Sequence, residues 1–436
     1  MFDCANHTTI PGATQSPAGH WRHALASCWL FTITITSAAC VSLQAQEDRD
    51  FLPQVNPFPP YRSPEGVRYN LKWGKLTGRV YGSVNTEFND NINLSQNNPE
   101  ADISIGPTIG VGFLWPISKV NVLQFDVGVG YRWYLNHPAV SSINVIPTSR
   151  LDHNIFLQSV RINVHDYFSA TSDPVTLGAL SGGKVNVTDF HRFHNTAGLL
   201  ANWRGTSKLG FSAGYDYSID RSLSSQFTSL DRDDHTFTAG FDYLLSPRWT
   251  VGANGAYTIT KYLENVQNDG TSFTFGPVVN YKYSQFLIFD ASAGWTVSTY
   301  DQTGTIVDRS AFRGFTWQFG VRHTINRRTS QDLRFGRHLG VGFNNNFTDL
   351  LAVQYGLRRQ ITSAVWLHST LAWEALDESG PAGETADRYL FSLGTSFRLS
   401  QHWSSAVAYT LSWKDSSLLG GDYVQNRLTL DITRHF

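Results

Sequence analysis

"DISIGPTIGVGFLW", Asp102 to Trp115, decides the fold. Its odd positions read Ile103, Ile105, Pro107, Ile109, Val111, Phe113 and Trp115; its even positions read Asp102, Ser104, Gly106, Thr108, Gly110 and Gly112. A period of two gives an extended chain one apolar face and one small or polar face. The pattern returns in "LQFDVGVGYRW" (123–133), "HTFTAGFDYLL" (235–245), "WTVGANGAYTI" (249–259), "LIFDASAGWTV" (287–297), "FTWQFGVRHTI" (315–325), "YLFSLGTSFRL" (389–399) and "NRLTLDITRHF" (426–436). Such runs are about 10 to 14 residues long, whereas strands of soluble proteins average about five or six. A tilted strand needs about 9 to 11 residues to cross hydrocarbon, so the length fits a bilayer.

The connections alternate as well. Short ones, "PISK", "RGTS", "LSPR", "KYSQ", "RQITS" and "LSQH", take turns with longer polar ones, "NDNINLSQNNPEAD", "SIDRSLSSQFTSLDRDD", "YDQTGTIVDRSA", "ALDESGPAGETAD" and "KDSSLLGGDYV". Outer-membrane barrels have short periplasmic turns and long extracellular loops. The expectation is therefore an all-β chain folded as a transmembrane antiparallel up-and-down barrel. Thirteen strands count back from Phe436 to about Asp189, and four more are expected at 76–88, 102–115, 121–134 and 151–159. An even total requires another between 160 and 189, supplied by "RINVHDYF", which gives about eighteen strands with sixteen as the alternative.

Composition agrees. The 436 residues carry a net charge of −1, with 16% charged and 14% aromatic side chains, and offer no electrostatic reason to expect nucleic acid as a partner. All three cysteines, Cys4, Cys28 and Cys40, lie near the start, within or before the apolar run "WLFTITITSAACVSLQAQ". Residues 1–46 read as a secretory signal, and 47–68, with five prolines between Pro53 and Pro64, as a periplasmic leader. The barrel is assigned to 69–436. Ser37, three before Cys40, is not the bulky aliphatic of a lipidation signal.

If the apolar face meets lipid, the other lines a lumen. Strand parity sends Asp126, Arg132, Asp216, Asp242, Lys282, Asp290, Arg322, Arg358, His368, Glu374, Arg398, Arg427 and Asp431 there, with Asn254 and Asn280 between them. Both signs occur, so no strong ion selectivity is expected; bracing salt bridges compete with solute contact as the role of each residue. Gly128, Gly130, Gly252, Gly294 and Gly320 should leave the wall thin. Rings such as Trp115, Trp133, Trp203, Tyr243, Trp249, Trp295 and Trp403 belong at the lipid borders.

Chemical motifs are absent on inspection. "GALSGGK" (178–184) has phosphate-loop spacing, but Val185 stands where Ser or Thr should hold Mg²⁺. His191 and His194 fall on opposite faces of a strand and cannot share a metal. No Ser, His and acid grouping must converge. No catalytic residue, metal or cofactor is expected.

"SLDRDDHTFTAGFDYLLSPRWTVG", "YLENVQNDGTSFTFGP" and "GGDYVQNRLTLDITRHF" resemble the outer-membrane β-barrel porins often encoded near exopolysaccharide export systems of Gram-negative bacteria. The resemblance implies a passive pore, with carbohydrate a candidate solute, or an export accessory acting through polysaccharide or export components. The terminal Phe436 resembles the signal read by the outer-membrane barrel assembly machinery, although Arg434 occupies a position that is usually apolar.

Overall fold

The structure, a computed structural model, describes residues 71–171, 191–343 and 345–436. Residues 1–46 and 47–68, and the 178–184 loop, lie outside them.

Strands follow one another in antiparallel order. A short β1 (Leu71–Trp73) folds onto the start of β2 (Leu76–Asn89), which is followed by β3 (Asp102–Pro116), β4 (Asn121–Tyr134), β5 (Ser142–Val145), β6 (Arg150–Leu157) and β7 (Val160–Thr171). Next come β8 (Arg192–Arg204), β9 (Leu209–Ser222), β10 (Arg232–Leu244), β11 (Trp249–Tyr262), β12 (Gly270–Lys282) and β13 (Leu287–Tyr300). The chain ends through β14 (Phe312–Asn326), β15 (Thr329–Val341), β16 (Phe347–Thr362), β17 (Val365–Glu378), β18 (Thr385–Arg398), β19 (Trp403–Ser416) and β20 (Tyr423–His435). The last strand pairs with the first of the wall, from Tyr81 opposite His435 to Asn89 opposite Arg427, and this closes the sheet. Closure leaves no edge whose backbone groups would go unpaired in lipid.

β5 and β6 share one place in the wall, between β4 and β7, so the closed barrel has eighteen strands, as the alternation predicts. The alternation of residues does not mark the break. Val129 pairs with Val145 and Asp126 with Arg150, so Ile146–Ser149 is extra chain that the ladder cannot absorb. Pro147 has no N–H to offer a neighbour, which favours the interruption at this point. The bulge is pinned by the Ile146 amide on the Gly128 carbonyl at 3.0 Å and by the Ser149 hydroxyl, which accepts the Gly128 amide at 3.2 Å.

Two boundaries shift from the sequence reading. Thr362 still belongs to β16, leaving Ser363 and Ala364 as the turn. The loop after β9 is only 223–231, because Ser218–Ser222 and Arg232–Asp234 remain paired. Polar residues there extend the strands beyond the apolar belt, where charge carries little penalty: Arg221 reaches Asp233 at 2.5 Å on the outer face.

The two faces differ sharply in exposure. Outward side chains stand free, with Ile109 69%, Phe315 60% and Val129 47% exposed, while the inward Gln124 and Asp126 are 4% and 3% exposed. The rings expected at the borders, Trp115, Trp133, Trp203, Tyr243, Trp249, Trp295 and Trp403, are all on the outer face and exposed. The loops at the other rim are stitched together. Gln267 donates to the Phe343 carbonyl, and Phe343 packs on Phe227 and Leu230 of the 223–231 loop. The buried Asp308 accepts the amides of Ser310 (2.7 Å) and Asn346 (2.8 Å) and the Ser379 hydroxyl, joining three loops.

Candidate functional site: the inner wall

Register follows one face around the barrel. Arg358 lies opposite His368, His368 opposite Gly394, Arg398 opposite Ser404, and Arg427 opposite Thr410. Asp431 pairs with Asn85, Asp290 with Gly320 and Asn280, Asp242 with Gly252, and Asp216 with Gly198 and Thr236. Asp126, Arg132, Lys282, Arg322, Glu374 and Asn254 share that face by the same alternation. Thus each residue assigned inward by parity sits on the inner face.

The structure separates two roles within that set. Several charges are locked into the wall by partners the sequence reading did not select. Arg79 on β2 reaches Asp126 on β4, with Nε 3.0 Å from Oδ2, and Arg204 on β8 reaches Asp242 on β10 at 3.3 Å. His165 on β7 meets Asp216 on β9 at 2.8 Å. Each pair jumps an intervening strand, which only the concave face of a curved sheet allows, because side chains converge there.

In every case the strand being crossed presents a glycine. A Cβ on Gly112 would lie 2.7 Å from Asp126 Oδ2 and 2.9 Å from Arg79 Nε; one on Gly198 would collide with Asp216 and His165, and one on Gly210 with Asp242. This corrects the expectation that glycines thin the wall. Gly128 is filled by the Ile146 side chain and Gly320 by the Asp290 carboxylate, so the spaces are occupied by neighbouring side chains.

Other pairs are deeply set. Arg388 holds Glu374, with Nε 2.9 Å from Oε2, at side-chain exposures of 7% and 2%; Lys414 holds Glu384 at 2.7 Å. Arg192 binds Asp220 at 2.5 Å and also donates to the carbonyls of Phe227 and Leu230, tying the 223–231 loop to β8. Between these charges run hydroxyl ladders: Thr274 to Thr296 at 2.9 Å and Thr296 to Thr316 at 2.8 Å. The wall is a polar, largely self-satisfied surface. Among the described residues no group of three His, Cys, Asp or Glu side chains is arranged to hold a metal ion.

The terminal aromatic has a defined place. The Phe436 amide donates to the Val80 carbonyl at 3.0 Å, and the Arg434 guanidinium lies between the Trp403 and Phe436 rings, 5.4 and 4.9 Å from their centroids. Stacking of this kind accommodates a planar cation on an outer face at the water boundary.

No protein family and no curated protein sequence matches the chain. Among solved structures it is similar to the outer membrane protein OpdK of Pseudomonas aeruginosa, at 10% identity, 82% of this chain, 99% of that chain and a TM-score of 0.47. It is also similar to OccK2 (OpdF) of Pseudomonas aeruginosa in complex with glucuronate, at 8% identity, 82% and 98% coverage and a TM-score of 0.48. A BenF-like porin from Pseudomonas fluorescens Pf-5 matches at 9% identity, 82% and 99% coverage and a TM-score of 0.47.

Proposed function

We propose that the barrel spans the outer membrane of a Gram-negative cell and forms a water-filled pore for passive solute passage, with no catalytic step or cofactor. One observation carries this: a closed wall of eighteen strands with an apolar outer face and a charged inner one. Barrels of sixteen to eighteen strands enclose an aqueous channel, whereas about eight strands leave room only for side chains. On this reading the tight turns, such as 158–159 and 363–364, face the periplasm and the stitched loops face outward. The inner hydroxyl ladders support a carbohydrate-like solute. An exopolysaccharide cargo or an export partner is a finer form of the proposal and rests on the resemblance of the C-terminal half. Phe436, following Leu428, Leu430 and Ile432 on the outer face, would be presented to the barrel assembly machinery.

Reconstitution into planar bilayers tests the reading. Stepwise conductance is expected from protein whose heat-modifiable gel shift reports a closed barrel. A closed barrel that never conducts, at any voltage, would overturn it.

A further inference from the structure

Glu378 ends β17 on the inner face, five residues beyond the outward Trp373, whose indole donates to Asp387 at 2.9 Å. An outward ring joined to a carboxylate marks the border of the apolar belt, so Glu378 stands above it. It sits where three loops are joined. The Ser379 amide donates to the Phe347 carbonyl and the Phe347 amide to the Ser379 hydroxyl, both at 3.0 Å. Ser379 and the Asn346 amide both donate to Asp308.

The Glu378 carboxyl is poorly provided for within this junction. Its Oε2 accepts the Glu384 amide at 3.2 Å, while Oε1 is shut away from water without a hydrogen-bond partner. Asn345, whose side chain faces this carboxyl, has a buried Oδ1 in the same condition. Two acceptors and no hydrogen between them favour a protonated carboxyl, which supplies the missing donor. A second carboxylate lies close by: the Glu378 amide donates to the Glu384 carbonyl at 2.9 Å, which fixes the two acids at the base of one hairpin loop. The cation facing both is Lys414 on β19, and Glu384 holds it at 2.7 Å. The other ionisable groups on this part of the wall are Asp308, the Glu374–Arg388 pair, Tyr423 and, on β15, His338. Burial, with the Glu384 carboxylate beside it, pushes the Glu378 carboxyl up to about 7.

We propose that Glu378 is a pH-sensitive latch at the pore mouth: neutral in acid, it holds the 379–384 loop against Asn345 and Asn346, and ionised in base it releases them. The place at the mouth rests on the pore reading; the latch itself rests on the junction. The sign follows from linkage. A carboxyl raised by folding leaves the closed junction stable while protonated, and that stability falls as pH rises from the open-state value of about 4.3 through the closed-state value of about 7.

Hydrogen exchange of the full chain in detergent, read by mass spectrometry and corrected for intrinsic rates, tests the latch. Between about pH 5.5 and about pH 8.5 the opening of segments 345–350 and 378–385 should increase about thirtyfold. Glu378→Gln, which keeps the shape and a donor, should hold both segments closed at either pH. Asp377→Asn, on the exposed outer face of the same strand, should leave the rise intact. In planar bilayers the wild-type current should be steady at the lower pH and interrupted several times more often at the higher, and Glu378→Gln should be steady at both. Exchange that does not change with pH, or a rise that Glu378→Gln retains, overturns the latch. A rise in exchange with equally steady currents overturns its place at the mouth. A closed barrel that never conducts overturns the pore reading, and the exchange result still decides the latch.

Discussion

Gly112→Ala is expected to destabilise the barrel, although glycine to alanine in a strand ordinarily stabilises it. Without strain the added methyl should be worth about 0.5–1 kcal/mol, through the lower backbone entropy of the unfolded chain. Here the methyl would sit 2.7 Å from Asp126 Oδ2 and 2.9 Å from Arg79 Nε, inside the gap through which that pair crosses β3. The two side chains are only 17% and 4% exposed, so parting them leaves charges that water cannot fully reach. Breaking a buried pair costs about 3–5 kcal/mol. At the lower end, with the backbone gain subtracted, the net loss is about 2 kcal/mol.

Urea titration of the protein refolded in detergent, read by heat-modifiable gel shift, measures this as a lower midpoint at unchanged slope. The decisive comparison is a cycle. In the Arg79→Ala, Asp126→Ala background the same Gly112→Ala change should become neutral or slightly stabilising, a coupling of about 2–3 kcal/mol. Equal losses in both backgrounds would refute the role assigned to the glycine.

Two further outcomes follow from the structure. His137 lies between Asp102 (2.8 Å from Nδ1) and Glu100 (2.9 Å from Nε2), so both ring nitrogens donate only as imidazolium, and the hydrogen bond to Asp102 raises its pKa. A raised histidine contributes stability that is complete below its unfolded value of about 6.5 and lost as pH rises through the folded one. Proteolytic nicking of 135–141 should therefore increase from about pH 5.5 to about pH 8.5, and His137→Gln should abolish the trend; a flat wild-type profile would remove the clasp. Separately, Ile109→Arg, on the outer face at 69% exposure, should cost about 2–4 kcal/mol when the barrel folds into vesicles, whereas Gln318→Arg on the inner face should cost less than about 1 kcal/mol. Equal costs would show that the outer face does not meet hydrocarbon.

Much of the inner wall was readable one strand at a time. Lys282, Asp290, Arg322 and Arg358 could be placed inward because each alternates with a large apolar neighbour such as Phe289 or Val321. Their partners could not be read this way. Arg79 and Asp126 are 47 residues apart, and nothing in either local stretch signals the other. The break at Ile146–Ser149 was missed because its residues lack alternation, although Pro147 was a usable hint. The loop network centred on Asp308 joins segments up to 71 residues distant and has no local pattern.

Alternation, strand length and the rhythm of short and long connections follow from backbone geometry and the apolarity of hydrocarbon, so the chain's own order of residues specified a closed antiparallel wall and which side chains face inward. Which charges neutralise one another, and which are left exposed, depended on the curvature of the closed sheet. Curvature brings strands two apart within reach on the concave face, and it permits contact only where the strand between them carries no side chain.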